Sequence, residues 1–124
     1  MYPNNVKYSE THQWVQREDN VVIMGITDYA QEQLGEVVYL DLPQVDDGIT
    51  LGEVMGSVES VKSISDIYSP VSGRIIEVNE VLLDEPAKIN EDAYGAGWMV
   101  KIEMSNPAEY DQLLTAAEYQ AKLG

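Results

Sequence analysis

The chain has 124 residues, and its 7 lysines and arginines against 22 aspartates and glutamates give a formal net charge of −15. This length suits one domain, residues 1–124, with a hydrophobic core, and the charge disfavours nucleic acids and anionic membranes as partners. With no cysteine and one histidine, His12, the sequence excludes disulfides, thiolate metal sites and multi-histidine metal sites.

The first predicted elements are a hairpin and a short helix. Residues 13–17 and 21–26 contain strand formers and flank a polar turn at residues 18–20, which is typical of a β-hairpin. Residues 28–34 suit a helix, with Thr27 or Asp28 as the N-cap and Gly35 as the C-terminal stop.

The middle of the chain consists of short strands separated by turns that are rich in Gly, Pro and Asp. Further strands are predicted, in chain order, at residues 36–42, 54–58, 74–78 and 98–104. Residues 84–97 predict a long loop because they contain Pro86, Gly95 and Gly97.

The C-terminal part predicts two helices. Asn106 can cap the first, with Pro107 in its first turn and Glu109 closing a capping box. Thr115 and Glu118 repeat that pattern for a last helix that ends near residue 122. Four residues at helical spacing are expected to pack on the sheet, namely Tyr110, Leu113, Leu114 and Ala117. Together, the elements predict a mainly β sandwich or barrel with short helices at its periphery.

One lysine stands out in this acidic chain. Two strand-forming runs flank residues 60–63, so a hairpin would place Lys62 near its tip, with the small side chains of Ser60 and Ser63 beside it. An exposed turn lysine is usually only a solvated charge. The alternative is covalent attachment, in which an enzyme surrounds the turn and acylates the amine, so that the amide-linked arm has lost the lysine charge.

At these residues the sequence resembles the H proteins of the glycine cleavage system. The resemblance extends from about Val6 to Leu123. Its marks are Lys7-Tyr8, His12-Gln13-Trp14-Val15, residues 25–31, residues 34–38, residues 59–66, residues 69–73, residues 77–79, residues 90–95, Gly97-Trp98 and Lys101-Ile102.

The resemblance implies a flattened β-sandwich of the biotinyl/lipoyl-carrier type with a C-terminal helix, and a carrier rather than an enzyme. Lipoic acid would be attached to Lys62 by an amide bond. The carrier would take an aminomethyl group from a pyridoxal-phosphate glycine decarboxylase to an aminomethyltransferase, and dihydrolipoyl dehydrogenase would reoxidise it. A lipoate ligase, or an octanoyltransferase with lipoyl synthase, would modify it. We expect a monomer in the cytoplasm, or in the mitochondrial matrix if a transit peptide has been removed.

The resemblance also implies roles for residues around the lysine. Thr11, Gln13 and Asp66 match positions that hold the amine of the loaded arm in a cleft. Gln13 stands where the family usually has glutamate, and because an amide lacks the negative charge, weaker protection of the loaded arm is predicted. Glu59 and Asp66 flank the lysine and are either recognition points for the lipoylating enzyme or ordinary solvated charges. His12 is expected to be structural rather than a catalytic base, since no nucleophile accompanies it.

Three alternatives remain open. An H-type protein can serve as a lipoyl donor in lipoate relay to other carriers. A biotin carrier shares the architecture but usually has methionine beside its lysine, whereas Lys62 follows Val61. An unmodified acidic interaction domain would keep the fold without the arm.

Overall fold

A computed structural model describes residues 2–123 of the chain. In that range the strands are β1 (Lys7–Tyr8), β2 (Gln13–Glu18), β3 (Val21–Ile26), β4 (Val37–Asp41), β5 (Gly48–Ile49), β6 (Val54–Ser60), β7 (Ile64–Tyr68), β8 (Gly73–Val78) and β9 (Val100–Met104). The helices are α1 (Asp28–Leu34), α2 (Glu80–Asp84), α3 (Lys88–Glu91), α4 (Ala108–Asp111) and α5 (Ala116–Leu123).

The strands form two antiparallel sheets that face each other. The larger has the order β1-β2-β3-β9-β8-β5 and the smaller β4-β6-β7. Alternate residues of paired strands point inward, as in Val22, Met24 and Ile102 on one sheet and Leu40 and Val58 on the other, and all five side chains are buried in one cluster. The predicted mainly β sandwich with short helices and a C-terminal helix is confirmed.

Local signals predicted several element ends correctly. The helix α1 has the predicted bounds, the Thr27 hydroxyl accepts the Ala30 N–H at 3.3 Å, and Gly35 closes the helix with φ +80°. Before the last helix, the Thr115 hydroxyl accepts the Glu118 N–H at 3.2 Å, and the Glu118 carboxylate accepts the Thr115 N–H at 2.9 Å. This is the predicted capping box.

Other local predictions were wrong because tertiary contacts intervene. Residues 84–97 are not one loop, since α2 ends at Asp84 and α3 lies within them. The Glu109 carboxylate does not cap α4, because it accepts the N–H and hydroxyl of Ser72 at 2.6 and 3.0 Å. Ala117 is exposed, because α4 and α5 are separate helices and the inward side of α5 consists of Ala116 and Tyr119.

A second, aromatic core joins the C-terminal helix to the N-terminal strands. Tyr119 of α5 stacks on Tyr8 with ring centroids 4.8 Å apart. Tyr8 also exchanges two backbone hydrogen bonds of 2.8 Å with Leu114. The Trp14 indole donates to the Ala93 carbonyl at 2.9 Å. These contacts fix residues 9–13, the segment that runs past the candidate site.

Candidate functional site

Lys62 lies at the tip of the β6–β7 hairpin, in a turn that the buried Ser60 organises. The Ser60 hydroxyl accepts the backbone N–H groups of Lys62 and Ser63, each at 3.1 Å. The Ser60 N–H donates to the Ser63 carbonyl at 2.8 Å, and the Val61 N–H donates to the Glu36 carbonyl at 3.0 Å. The amide groups on both sides of the lysine are therefore satisfied within the protein, which gives the exposed side chain a rigid base.

The Lys62 side chain passes over Gly35, the residue that ends α1. A Cβ atom at Gly35 would stand 3.3 Å from Lys62 Cε and 3.9 Å from Nζ. Gly35 also has a positive φ, which a side chain would strain. Among residues 2–123, Lys62 forms no ion pair. Its amine is thus accessible and not neutralised by a nearby carboxylate.

The segment beneath the lysine is held by Asn90 of α3, which the sequence marked only as part of the family resemblance at residues 90–95, without a role. The Asn90 amide donates to the Gly35 carbonyl at 2.8 Å and to Gln31 Oε1 at 2.9 Å. Its oxygen accepts the Val37 N–H at 2.9 Å. Asn90 therefore ties the end of α1 to the start of β4, on either side of the Glu36 carbonyl that binds the lysine turn. An asparagine within a predicted loop gives no local signal of such a role.

A cleft of about 300 Å³ opens beside the hairpin, between β7, α1 and the N-terminal segment. It brings together the three predicted cleft residues, Thr11, Gln13 and Asp66, although they come from distant parts of the sequence. Apolar side chains, including Ile26 and Leu34, line the same cleft. Because Ser63 also lines it, the cleft begins one residue from Lys62.

Gln13 is held tightly in the wall of this cleft and is only 2% exposed. Its Oε1 accepts the hydroxyls of Ser9 and Thr11 at 2.6 and 2.5 Å, and its Nε2 donates to the Thr11 carbonyl at 2.8 Å. The predicted acceptor is therefore present, but two hydroxyls already satisfy it. A cationic group entering the cleft would compete with these hydroxyls for the amide oxygen.

His12, on the same cleft, belongs to a chain of hydrogen bonds with the C-terminal helix. Its Nδ1 lies 2.7 Å from the Tyr119 hydroxyl, which lies 2.8 Å from the Thr27 hydroxyl. Burial lowers the pKa of His12, and burial raises the pKa of Tyr119 to about 12. Both groups are therefore mainly neutral at pH 7, and the hydrogen bond to Tyr119 gives His12 a structural contact.

The two carboxylates that flank the lysine, Glu59 and Asp66, project from the outward face of the smaller sheet, and Asp66, on the edge strand β7, also borders the cleft. Glu59 pairs with Tyr39 on one side and Ile64 on the other, and Asp66 pairs with Ser57 one row further along. Neither carboxylate forms an ion pair with another residue in the range 2–123. They are thus available to a partner.

Residues 2–123 contain neither a metal-binding cluster nor a membrane-spanning helix. No cluster of three or more His, Cys, Asp or Glu residues between 2 and 123 is arranged to hold a metal ion. In the same range, no helix has the length and apolar character needed to cross a membrane.

Comparison with known proteins gives one consistent match. Residues 6–124 match the family model described as glycine cleavage H-protein. The chain is 50% identical over 121 residues to a glycine cleavage system H protein of Carboxydothermus hydrogenoformans. That match covers 98% of this chain and 93% of the relative. It is 49% identical to the protein of the same name from Staphylococcus haemolyticus, with 98% and 97% covered. The crystal structure of a glycine cleavage system H protein from Mycobacterium marinum superposes with a TM-score of 0.92 at 39% identity, covering 98% of each chain.

Proposed function

The chain belongs to the glycine cleavage H-protein family, and on that basis we propose that it is the lipoyl-carrying shuttle of glycine cleavage, with Lys62 as the attachment site. It is a carrier and not a catalyst. The observation that supports Lys62 most directly is an accessible, unpaired amine on a rigid hairpin tip beside a cleft. When bound, the lipoyl group supplies the redox-active sulfur pair, which this cysteine-free chain lacks.

The residues of the cleft fit such a group. Its apolar walls, which include Ile26 and Leu34, suit a hydrocarbon chain, and the polar groups of Thr11, Gln13 and Asp66 suit an amine at the far end. We assign these three polar residues to the binding of the loaded arm. Asp66 supplies the negative charge that Gln13 does not.

The partners follow from this role. We propose a pyridoxal-phosphate glycine decarboxylase, an aminomethyltransferase and dihydrolipoyl dehydrogenase as the enzymes it visits. A lipoate ligase, or an octanoyltransferase with lipoyl synthase, would modify Lys62, with Glu59 and Asp66 as recognition points. The net charge of −15 supports fast and transient docking to basic surfaces.

Intact-mass measurement after co-expression with a lipoylating enzyme tests the attachment site. The wild type should gain one lipoyl group, Lys62→Ala should gain none, and Lys122→Ala should gain one, since Lys122 is an exposed lysine of α5 that pairs with Glu10 and does not lie in a hairpin turn. A wild type without the adduct would contradict the carrier assignment. A modified Lys62→Ala would contradict the site. Decarboxylase-dependent exchange of carbon dioxide with glycine then separates a cleavage role from lipoate relay.

A further inference from the structure

The outward face of the smaller sheet carries exposed apolar side chains and carboxylates. It begins at the turn that carries Lys62. Tyr39, Glu59 and Ile64 pair across the three strands and form one row, because directly paired residues project from the same face. Asp41 and Asp66 lie in the next row with the same orientation. We call the side chains of these two rows the outer face.

The apolar part of the outer face is not packed against the rest of the protein. Tyr39 is 59% exposed and Ile64, which on the edge strand β7 also borders the cleft, is 68% exposed, whereas Leu40 and Val58 point to the core and are buried. An irregularity in the pairing of β4 with β6 between Val37 and Tyr39 leaves Val38 exposed as well. Tyr39 and Ile64 stand on either side of Glu59, so a partner that covers this row meets an exposed apolar side chain on each flank of a carboxylate.

The charge of the outer face has a single sign. Asp41, Glu59 and Asp66 stand on it, and none of β4, β6 and β7 contains a lysine or arginine. A partner that covers the outer face therefore needs an apolar patch opposite Tyr39 and Ile64, with basic side chains around it.

We propose that the outer face is the docking surface for the enzyme that acylates Lys62, an inference that rests on the proposed function. The lysine amine stands only four methylene groups from the backbone, so an enzyme that acts on it must cover the residues beside the turn. Enzymes that act at the far end of a loaded arm are not bound by this constraint. The acylation forms a bond between Nζ and the acyl carbon, breaks the bond between that carbon and its activating group, and releases a proton from the amine.

Steady-state acylation of the unmodified chain by a lipoate ligase, supplied with lipoate and ATP, tests the docking surface. The double variant Tyr39→Ser with Ile64→Ser should raise KM for the carrier about tenfold and leave kcat within twofold. The matched control is Val81→Ser with Leu83→Ser on α2, where the side chains are 57% and 40% exposed and are not part of the outer face. It should leave KM within twofold.

A pair of charge variants separates docking from a loss of folding. Ile64→Lys and Ile64→Glu remove the same apolar contact but add opposite charges. With a basic partner, Ile64→Lys should have the higher KM, and the difference should shrink as salt is added. Equal KM values for these two variants at low salt would overturn the charge complementarity.

The outcomes distinguish this inference from the function on which it rests. If the wild type is not acylated, the proposed function fails. If it is acylated and the double variant keeps the wild-type KM, the docking surface is overturned. If the double variant is acylated normally but shows a raised KM with the glycine decarboxylase, the outer face serves a later enzyme and the assignment to acylation is overturned.

Discussion

Replacement of Asn90 by alanine is expected to loosen the turn that carries Lys62 while the sandwich stays folded. Asn90 binds the Gly35 carbonyl and the Val37 N–H, and between them the Glu36 carbonyl accepts the Val61 N–H beside the lysine. Without Asn90, the segment keeps only the bond from the Gly35 N–H to the Gln31 carbonyl and the pairing of Val37 with Ser60, and Gly35 between them has a flexible backbone, so the segment loosens without unfolding.

The size of the effect follows from the bonds that are lost. The substitution removes two donated bonds and one accepted bond, each with a net value of about 1 kcal/mol. Asn90 is partly exposed, so water can replace some of the lost hydrogen bonds. The net loss of stability for this segment is then about 2 kcal/mol. That corresponds to about 30-fold more frequent local opening.

Amide hydrogen exchange measured by NMR can resolve this opening. The Val61 amide, bound to Glu36, should exchange about 30-fold faster in Asn90→Ala, whereas the Met99 amide, bound to Met24 in the larger sheet, should change little. Asn79→Ala is the matched control, because Asn79 also donates two bonds to backbone carbonyls, those of Ala96 and Trp98, but just beyond the end of β8, beside the larger sheet.

The control should give the opposite pattern, with faster exchange at Met99 and no change at Val61. Equal acceleration of both amides in both variants would mean that each asparagine acts only on global stability. An unchanged exchange rate of the Val61 amide in Asn90→Ala would refute the proposal that Asn90 holds the segment beneath Lys62.

The remaining predictions concern two residues of the cleft wall, Gln13 and His12. Gln13→Glu should lengthen the lifetime of the loaded carrier severalfold, because a carboxylate attracts the cationic amine; equal rates of release of the aminomethyl group would remove the reason for singling out this position. It should also cost about 1–3 kcal/mol of folding stability, since Gln13 is buried and a carboxylate cannot donate to the Thr11 carbonyl, and urea denaturation measures this. The folded-state pKa of His12 lies below its unfolded value of about 6.5, so the folded state binds fewer protons and its stability falls as pH drops through that value. His12→Asn tolerates the positive φ and should lose less stability than wild type as the pH falls below about 7; identical slopes of stability against pH, from urea denaturation at each pH, would refute the assignment.

The sequence by itself determined the features that depend on neighbouring residues. The bounds of α1, the cap formed by Thr115 and Glu118, and the inward alternation of β9 all rest on contacts within a few positions. Lys62 in a tight turn between strands was predicted in the same way. The ordered motifs along the chain also predicted the family, and with it the mainly β fold.

Only the tertiary structure decided which distant groups meet. Asn106 and Glu109 have the same local pattern as Thr115 and Glu118, but Glu109 binds Ser72, which lies 37 positions earlier in the chain. No sequence periodicity indicated that Asn90 would hold the segment beneath Lys62. The physical reason is that the partners of a cap or a turn lie within a few residues of it. The contacts of Glu109 and Asn90 instead depend on how the sheets and helices pack, and that packing is determined by all core residues together.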